Sequence, residues 1–250
     1  MRFIQETWLT FVRAFRPALR SPGALIAGAL VPLLYLVLFG PLLGQTKAAE
    51  GVGSWQWFVP GMLIQLTLFI TVNAGFTLIP DTRSGVLERM RVTPVSRVAL
   101  LLGRVMKDVV LLLVQAAMLV ALAVALGFRA PVLPMVVAFA MLAIVGVAVG
   151  FISYGLAMKL KHEFLLAPVV SGLAVPVMLL SGVLLPMDFG PAWLYAISRA
   201  NPLTHVVDAE RAIVAGDLTS TTVLVGAAVA VGLFVLSMGW AVRTFRKEYA

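Results

Sequence analysis

The chain offers few side chains that could do covalent chemistry. It has no cysteine, which removes disulfides, thiolate metal sites and cysteine nucleophiles. Two histidines, His162 and His205, both fall in polar connections, and His162-Glu163 lacks the second histidine of an HExxH metal pair. A serine–histidine pair or twin aspartates working inside a membrane need ionisable groups at depth. All 11 Asp and Glu residues, however, lie outside the long apolar runs or at their edges. No GxxxxGK[ST] phosphate loop occurs. These residues point to a chain that conducts rather than catalyses, with no metal and no cofactor of its own.

The informative polar residues gather in two stretches. Residues 81–108 read DTRSGVLERMRVTPVSRVALLLGRVMKD and hold six of the 19 Lys and Arg: Arg83, Arg89, Arg91, Arg97, Arg104 and Lys107. Gly85 and Pro94 are breakers, and Ser96 is placed to cap a helix starting at Arg97. Between the breakers, residues 86–92 form a short amphipathic piece held out on two turns, a shape suited to docking on a soluble partner. Arg97 and Arg104, seven residues apart, read as anchors at the headgroup level. The second stretch, 58–80, is apolar but carries Gln65, Thr67, Thr71, Asn73 and Thr77. Asn73 and Thr77, one turn apart, either line a cavity or bond neighbouring helices.

At 61% hydrophobic and 12% charged, the sequence is far from the average globular chain, where about a quarter of residues are charged. The fold class is all-α, a polytopic membrane protein. Apolar runs at 23–43, 58–80, 109–126, 132–158, 164–185 and 223–242 predict six spans, each able to cross roughly 30 Å of hydrocarbon. Residues 1–22 place Ile4, Trp8, Phe11, Phe15 and Leu19 at helical spacing among arginines, an amphipathic helix fit to lie in the interface. The apolar run after it is too long for a signal-peptide core. The fifth run contains Pro168 and Pro176, with Ser171, Ser181 and Gly182 nearby. Residues 186–222 predict one or two short helices dipping into the outer leaflet, with Asn201-Pro202 as a start and Gly216 as a stop. Residues 1–250 read as one domain.

Orientation comes from the basic residues. With six spans and the N-terminus inside, fifteen Lys and Arg fall in inner segments and four in outer ones, so both termini are expected in the cytoplasm. The net charge of +8 and pI near 10.4 are explained by this asymmetry, without any nucleic-acid partner.

These motifs carry a family likeness. Gly85-Val-Leu-Glu-Arg-Met-Arg-Val-Thr-Pro-Val-Ser-Arg97, continued by Leu-Leu-Leu-Gly-Arg104, resembles the loop after the second span of type-2 ATP-binding-cassette (ABC) permeases. Bacterial permeases of the daunorubicin-resistance kind are the nearest likeness. Leu180-Ser-Gly-Val-Leu-Leu-Pro186, Pro191-Ala-Trp193, Asn201-Pro-Leu-Thr204 and Val207-Asp-Ala-Glu-Arg211 resemble the run before the last span of such permeases, and Phe58-Val-Pro-Gly61 agrees. The resemblance implies a pathway-forming subunit in a bacterial plasma membrane that exports a hydrophobic or amphipathic cargo: a drug, an antibiotic or a lipid. ATP and Mg would belong to a separate cytoplasmic ATPase, present in two copies beside two permeases, identical or sister chains. Val86, Leu87, Glu88, Arg89, Met90 and Arg91 would form the coupling helix, with Glu88 and Arg89 as polar contacts and Arg91 as a contact or a lipid-phosphate ligand. Gln65, Phe69, Asn73, Thr77, Pro176 and Ser181 are the candidates for the substrate pathway; Pro176 and Ser181-Gly182 form either an outer gate or a packing kink. The competing reading is an ion-coupled or facilitative secondary transporter, which usually needs ionisable groups near the bilayer midplane.

Overall fold

The computed structural model describes residues 2–20, 22–45, 55–83 and 97–248, which form helices and connections without a strand. The coupling residues Val86 to Arg91 lie outside the described residues. In chain order the helices are α1 (Arg2–Leu19), α2 (Pro22–Gln45), α3 (Trp55–Val72), a 3-10 turn (Ala74–Thr77) and α4 (Leu78–Arg83). After residues 84–96 come α5 (Arg97–Ala125), α6 (Val132–Leu160), α7 (Glu163–Leu180), α8 (Ala192–Ala200), α9 (Pro202–Val214) and α10 (Thr221–Glu248). Among the described residues, five segments are long and apolar enough to cross a membrane: Trp55–Pro80, Val98–Ala125, Val132–Leu160, Glu163–Leu180 and Thr221–Phe245. The 24-residue α2 contributes the shorter apolar stretch Gly28–Gly40.

The middle of the bundle is α6. It packs most extensively on α10 and also on α3, α5 and α9. Small residues permit this: a Cβ at Gly146 would come within 2.7 Å of Leu112, and one at Gly155 would overlap the Trp240 ring. α9 lies against α10, where Gly226 meets Ala209 and the His205 carbonyl. Its start is set by Asn201, whose Oδ1 accepts from the Leu203 amide at 3.1 Å, with Pro202 as the first helical residue. It stops at Gly216, which has φ +93. α1 turns Thr10 and Phe11 onto α5, while Ile4, Trp8 and Leu9 stay exposed.

Three expectations change. The second apolar run is not one helix: α3 ends at Val72, and the 3-10 turn separates it from α4. The fifth helix ends at Leu180 rather than 185, because Gly182 takes φ +76 and turns the chain although the apolar sequence continues. The third helix is continuous from Arg97, so Asp108 lies within an apolar span and not at its edge. It is accommodated because Tyr154 donates to its Oδ2 at 2.6 Å and Lys107 Nζ sits 2.5 Å from its Oδ1.

Candidate functional site

The break in the second span is made by one side chain. Ser153 of α6 donates its hydroxyl to the Val72 carbonyl at 2.5 Å, and its Oγ accepts from the Gly75 amide at 2.9 Å. Such an approach needs glycine: a Cβ at residue 75 would stand 2.5 Å from the Ser153 carbonyl oxygen. Phe76, denied Val72, donates instead to the Asn73 carbonyl at 3.1 Å, which makes the turn 3-10. Asn73 folds back and donates its amide to the Phe69 carbonyl at 2.6 Å.

This turn borders a cleft. Leu68, Phe69, Val72 and Asn73 form one wall, and Val170, Ser171, Ala174, Val175 and Met178 of α7 form the other. α7 stands off from the bundle, burying only Leu166, Val170 and Met178, and Pro168 and Pro176 each remove a backbone donor from it. Asn73 and Ser171 are the two polar side chains among the described lining residues, and none is charged. Asn73 uses a donor on Phe69, which leaves its carbonyl oxygen to accept from a guest. Walls of this kind hold a mostly apolar molecule with a few hydrogen-bonding groups.

Of the six residues expected on a pathway, the cleft brings together Phe69, 39% exposed, and Asn73. Gln65 is buried in the α3 core, its Oε1 without a hydrogen-bond partner among the described residues. Ser181 is buried and donates to the Met178 carbonyl at 2.6 Å. Pro176 is exposed on α7 and is not a lining residue. Thr77 donates to the Ala74 carbonyl at 2.8 Å and lies 3.5 Å from the Tyr154 hydroxyl. Nothing in the sequence singles out Val170, Val175 or Met178, whose apolar letters match the rest of α7. Ser171 is the visible signal there.

Sequence reasoning also misses the burial of two charged residues on α9. Arg211 lies over the Trp57 ring at 4.1 Å and donates to the Gly182 carbonyl at 2.7 Å, fastening α9 to the start of α3 and to the turn after α7. Burial lowers its pKa to about 10, against the opposing pull of Asp208 and Asp188, so it stays cationic at neutral pH. Glu210 is fully buried, and neither carboxyl oxygen has a hydrogen-bond partner among the described residues. Desolvation pushes its pKa well above the ordinary carboxyl value. His162 packs its ring beside Phe164, and His205 Nε2 lies 3.1 Å from the Arg199 carbonyl. Among the described residues no group of His, Asp and Glu is arranged to hold a metal.

The sequence profile of ABC-2 type transporters matches residues 5–215. The chain belongs to the ABC-2 type transporter family. It is 29% identical over 240 residues to the daunorubicin resistance ABC transporter permease protein DrrB1 of Streptomyces coeruleorubidus, covering 95% of this chain and 85% of that one. It is 33% identical over 213 residues to the ycf38 protein of Cyanophora paradoxa, named as a transport permease, covering 82% and 73%. A ycf38 protein of Porphyra purpurea is 29% identical over 216 residues, covering 84% and 74%. This ABC-2 chain is thus a membrane permease component, and its family works with an ABC ATPase subunit.

Proposed function

We propose that this ABC-2 permease is the pathway-forming subunit of an exporter that moves a hydrophobic or amphipathic molecule out across a bacterial plasma membrane. A separate ATPase hydrolyses ATP, two copies of it serving two copies of this chain. Six spans, both termini in the cytoplasm and a coupling helix at Val86 to Arg91 complete the reading. The observation that supports it most is the uncharged cleft between α3 and α7, set beside the helix break within a chain whose family is that of ABC permeases. Its walls suit a drug, an antibiotic or a lipid rather than an ion.

The test is a mild-detergent pull-down of the tagged chain from its native host, comparing wild type with Glu88→Arg. Co-purification of a Walker-A ATPase with wild type, and its loss on charge reversal, is the expected result. Retention by both forms would leave the exporter standing and remove Glu88 from the interface. Absence of any ATPase after gentle cross-linking would sink the reading.

One observation favours a second reading, a proton-linked carrier: Glu210 is a buried carboxyl without a partner among the described residues. It does not line the cleft. Flux driven by a pH gradient in vesicles without ATP, abolished by Glu210→Gln, would establish that alternative.

A further inference from the structure

In an uninterrupted α-helix the Val72 carbonyl accepts from the Phe76 amide, and the Gly75 amide donates to the Thr71 carbonyl. Ser153 has taken one group from each of these bonds. Its hydroxyl occupies the Val72 carbonyl, its oxygen occupies the Gly75 amide, and Phe76 falls back on Asn73. A side chain inserted in the i→i−4 ladder is a recognised cause of a helix break, and this one is removable by rotation of a single hydroxymethyl group. The next residue of α6, Tyr154, is fully buried, donates to Asp108 of α5 at 2.6 Å and lies 3.5 Å from Thr77 at the end of the turn. Two consecutive residues of the central helix therefore touch the cleft-lining turn, its exit toward α4, and α5. In the chain, residues 84–96 join α4 to α5.

We infer that Ser153 is a switch between a broken and a continuous second span, and that Tyr154 holds α5 and the end of the turn in register with it. With Ser153 engaged, Phe69 and Asn73 face the cleft as observed. With Ser153 released, residues 74–77 revert to the α-helical ladder. Converting four residues from 3-10 to α shortens the span by about 2 Å and rotates α4 relative to α3 by roughly 80°, given 2.0 Å and 120° per residue against 1.5 Å and 100°. That movement passes through α4 to residues 84–96. The coupling it provides is a discrete two-state element biased from both ends, by a guest against Phe69 and Asn73 and by a partner acting beyond α4. Ser153 and Tyr154 are positioning residues; neither contacts ATP.

The proposal rests on the permease-plus-ATPase reading for its use, but its mechanism is readable in the permease alone. Hydrogen exchange at the Gly75 and Phe76 amides decides first. Loss of a merely structural bond in Ser153→Ala would speed exchange at both. A switch thrown to the continuous helix keeps or increases their protection, at least threefold at Phe76, and Ser153→Thr, which retains the hydroxyl, behaves as wild type. Faster exchange in Ser153→Ala overturns the proposal.

The second measurement uses the full complex. With no native cysteine, Val175→Cys carries a single environment-sensitive fluorophore across the cleft from Asn73. ATP with vanadate is expected to shift its emission in the Ser153 parent. The shift should fall at least threefold in Ser153→Ala and in Tyr154→Phe and be kept in Ser153→Thr, with the ATPase still bound in all. An unchanged shift in Ser153→Ala, or none in the parent despite a bound and hydrolysing ATPase, overturns the switch while the exporter reading survives. If no ATPase binds, it is the exporter reading that fails, and the exchange result still decides the switch.

Discussion

Glu210 and Arg211 are neighbours in sequence with opposite solutions to burial. Arg211 satisfies its guanidinium on the Gly182 carbonyl and the Trp57 ring. Replacing it with lysine, a point charge without the planar fork, should cost about 1–3 kcal/mol, read as a lower melting temperature in detergent. Glu210 has nothing comparable. Its folded pKa is raised, so between the ordinary value near 4.5 and the folded value the native state holds a proton that the unfolded chain releases, and stability falls as pH rises through that window. Glu210→Gln should abolish this slope. The two proteins should melt alike below about pH 4, and the variant should gain up to about 1.4 kcal/mol for each pH unit within the window. A melting series from pH 4 to 9 measures it. The inward face of Glu210 is legible in the sequence, since the residue shares a helical stripe with Val206, Val207, Ile213 and Val214. What sequence could not supply is the core of other helices in which the stripe is buried, so an acid there reads as solvated.

At the scale of elements, local signals read well and distant ones do not. Asn201-Pro202 and Gly216 mark α9 because a cap, a first-turn proline and a left-handed stop act within a few residues. The break at Val72 is invisible in the second run, since its cause, Ser153, lies 78 residues from Gly75 in the chain. Apolar letters likewise run on past Gly182, so the end of α7 is visible only in the backbone angle of that glycine. Of the candidate site, Phe69 and Asn73 are legible as polar or aromatic interruptions, while their partners on α7 are not. Two glycines make element-level predictions. A Cβ at Gly75 meets the Ser153 backbone, which cannot yield as a side chain can, so Gly75→Ala should lower stability by about 1–3 kcal/mol, measured as a drop in melting temperature. A Cβ at Gly103 would come 2.8 Å from the Thr7 carbonyl oxygen and 2.9 Å from the Phe11 nitrogen. Gly103→Ala should therefore lift α1 off α5, seen as faster hydrogen exchange across residues 2–19 with α6 unchanged.

For the whole molecule, the uneven distribution of basic residues argues a definite orientation, and the absence of cysteine makes it easy to test. A thiol reagent that cannot cross membranes should label Asp217→Cys in intact cells, and Lys247→Cys only in inverted vesicles. Equal labelling of both from outside would reverse the proposed topology. The packing of α9 on α10 also sets an order of assembly. Synthesis delivers Pro202–Val214 before the 28-residue helix Thr221–Glu248 that shelters it. Until that later helix is made, the face of α9 that carries His205 and Ala209 has no Gly226 surface to pack on. A chain released early thus presents membrane proteases with an outer helix bare on that face, whereas the longer chain covers it. A helix made early thus depends for its cover on one made later.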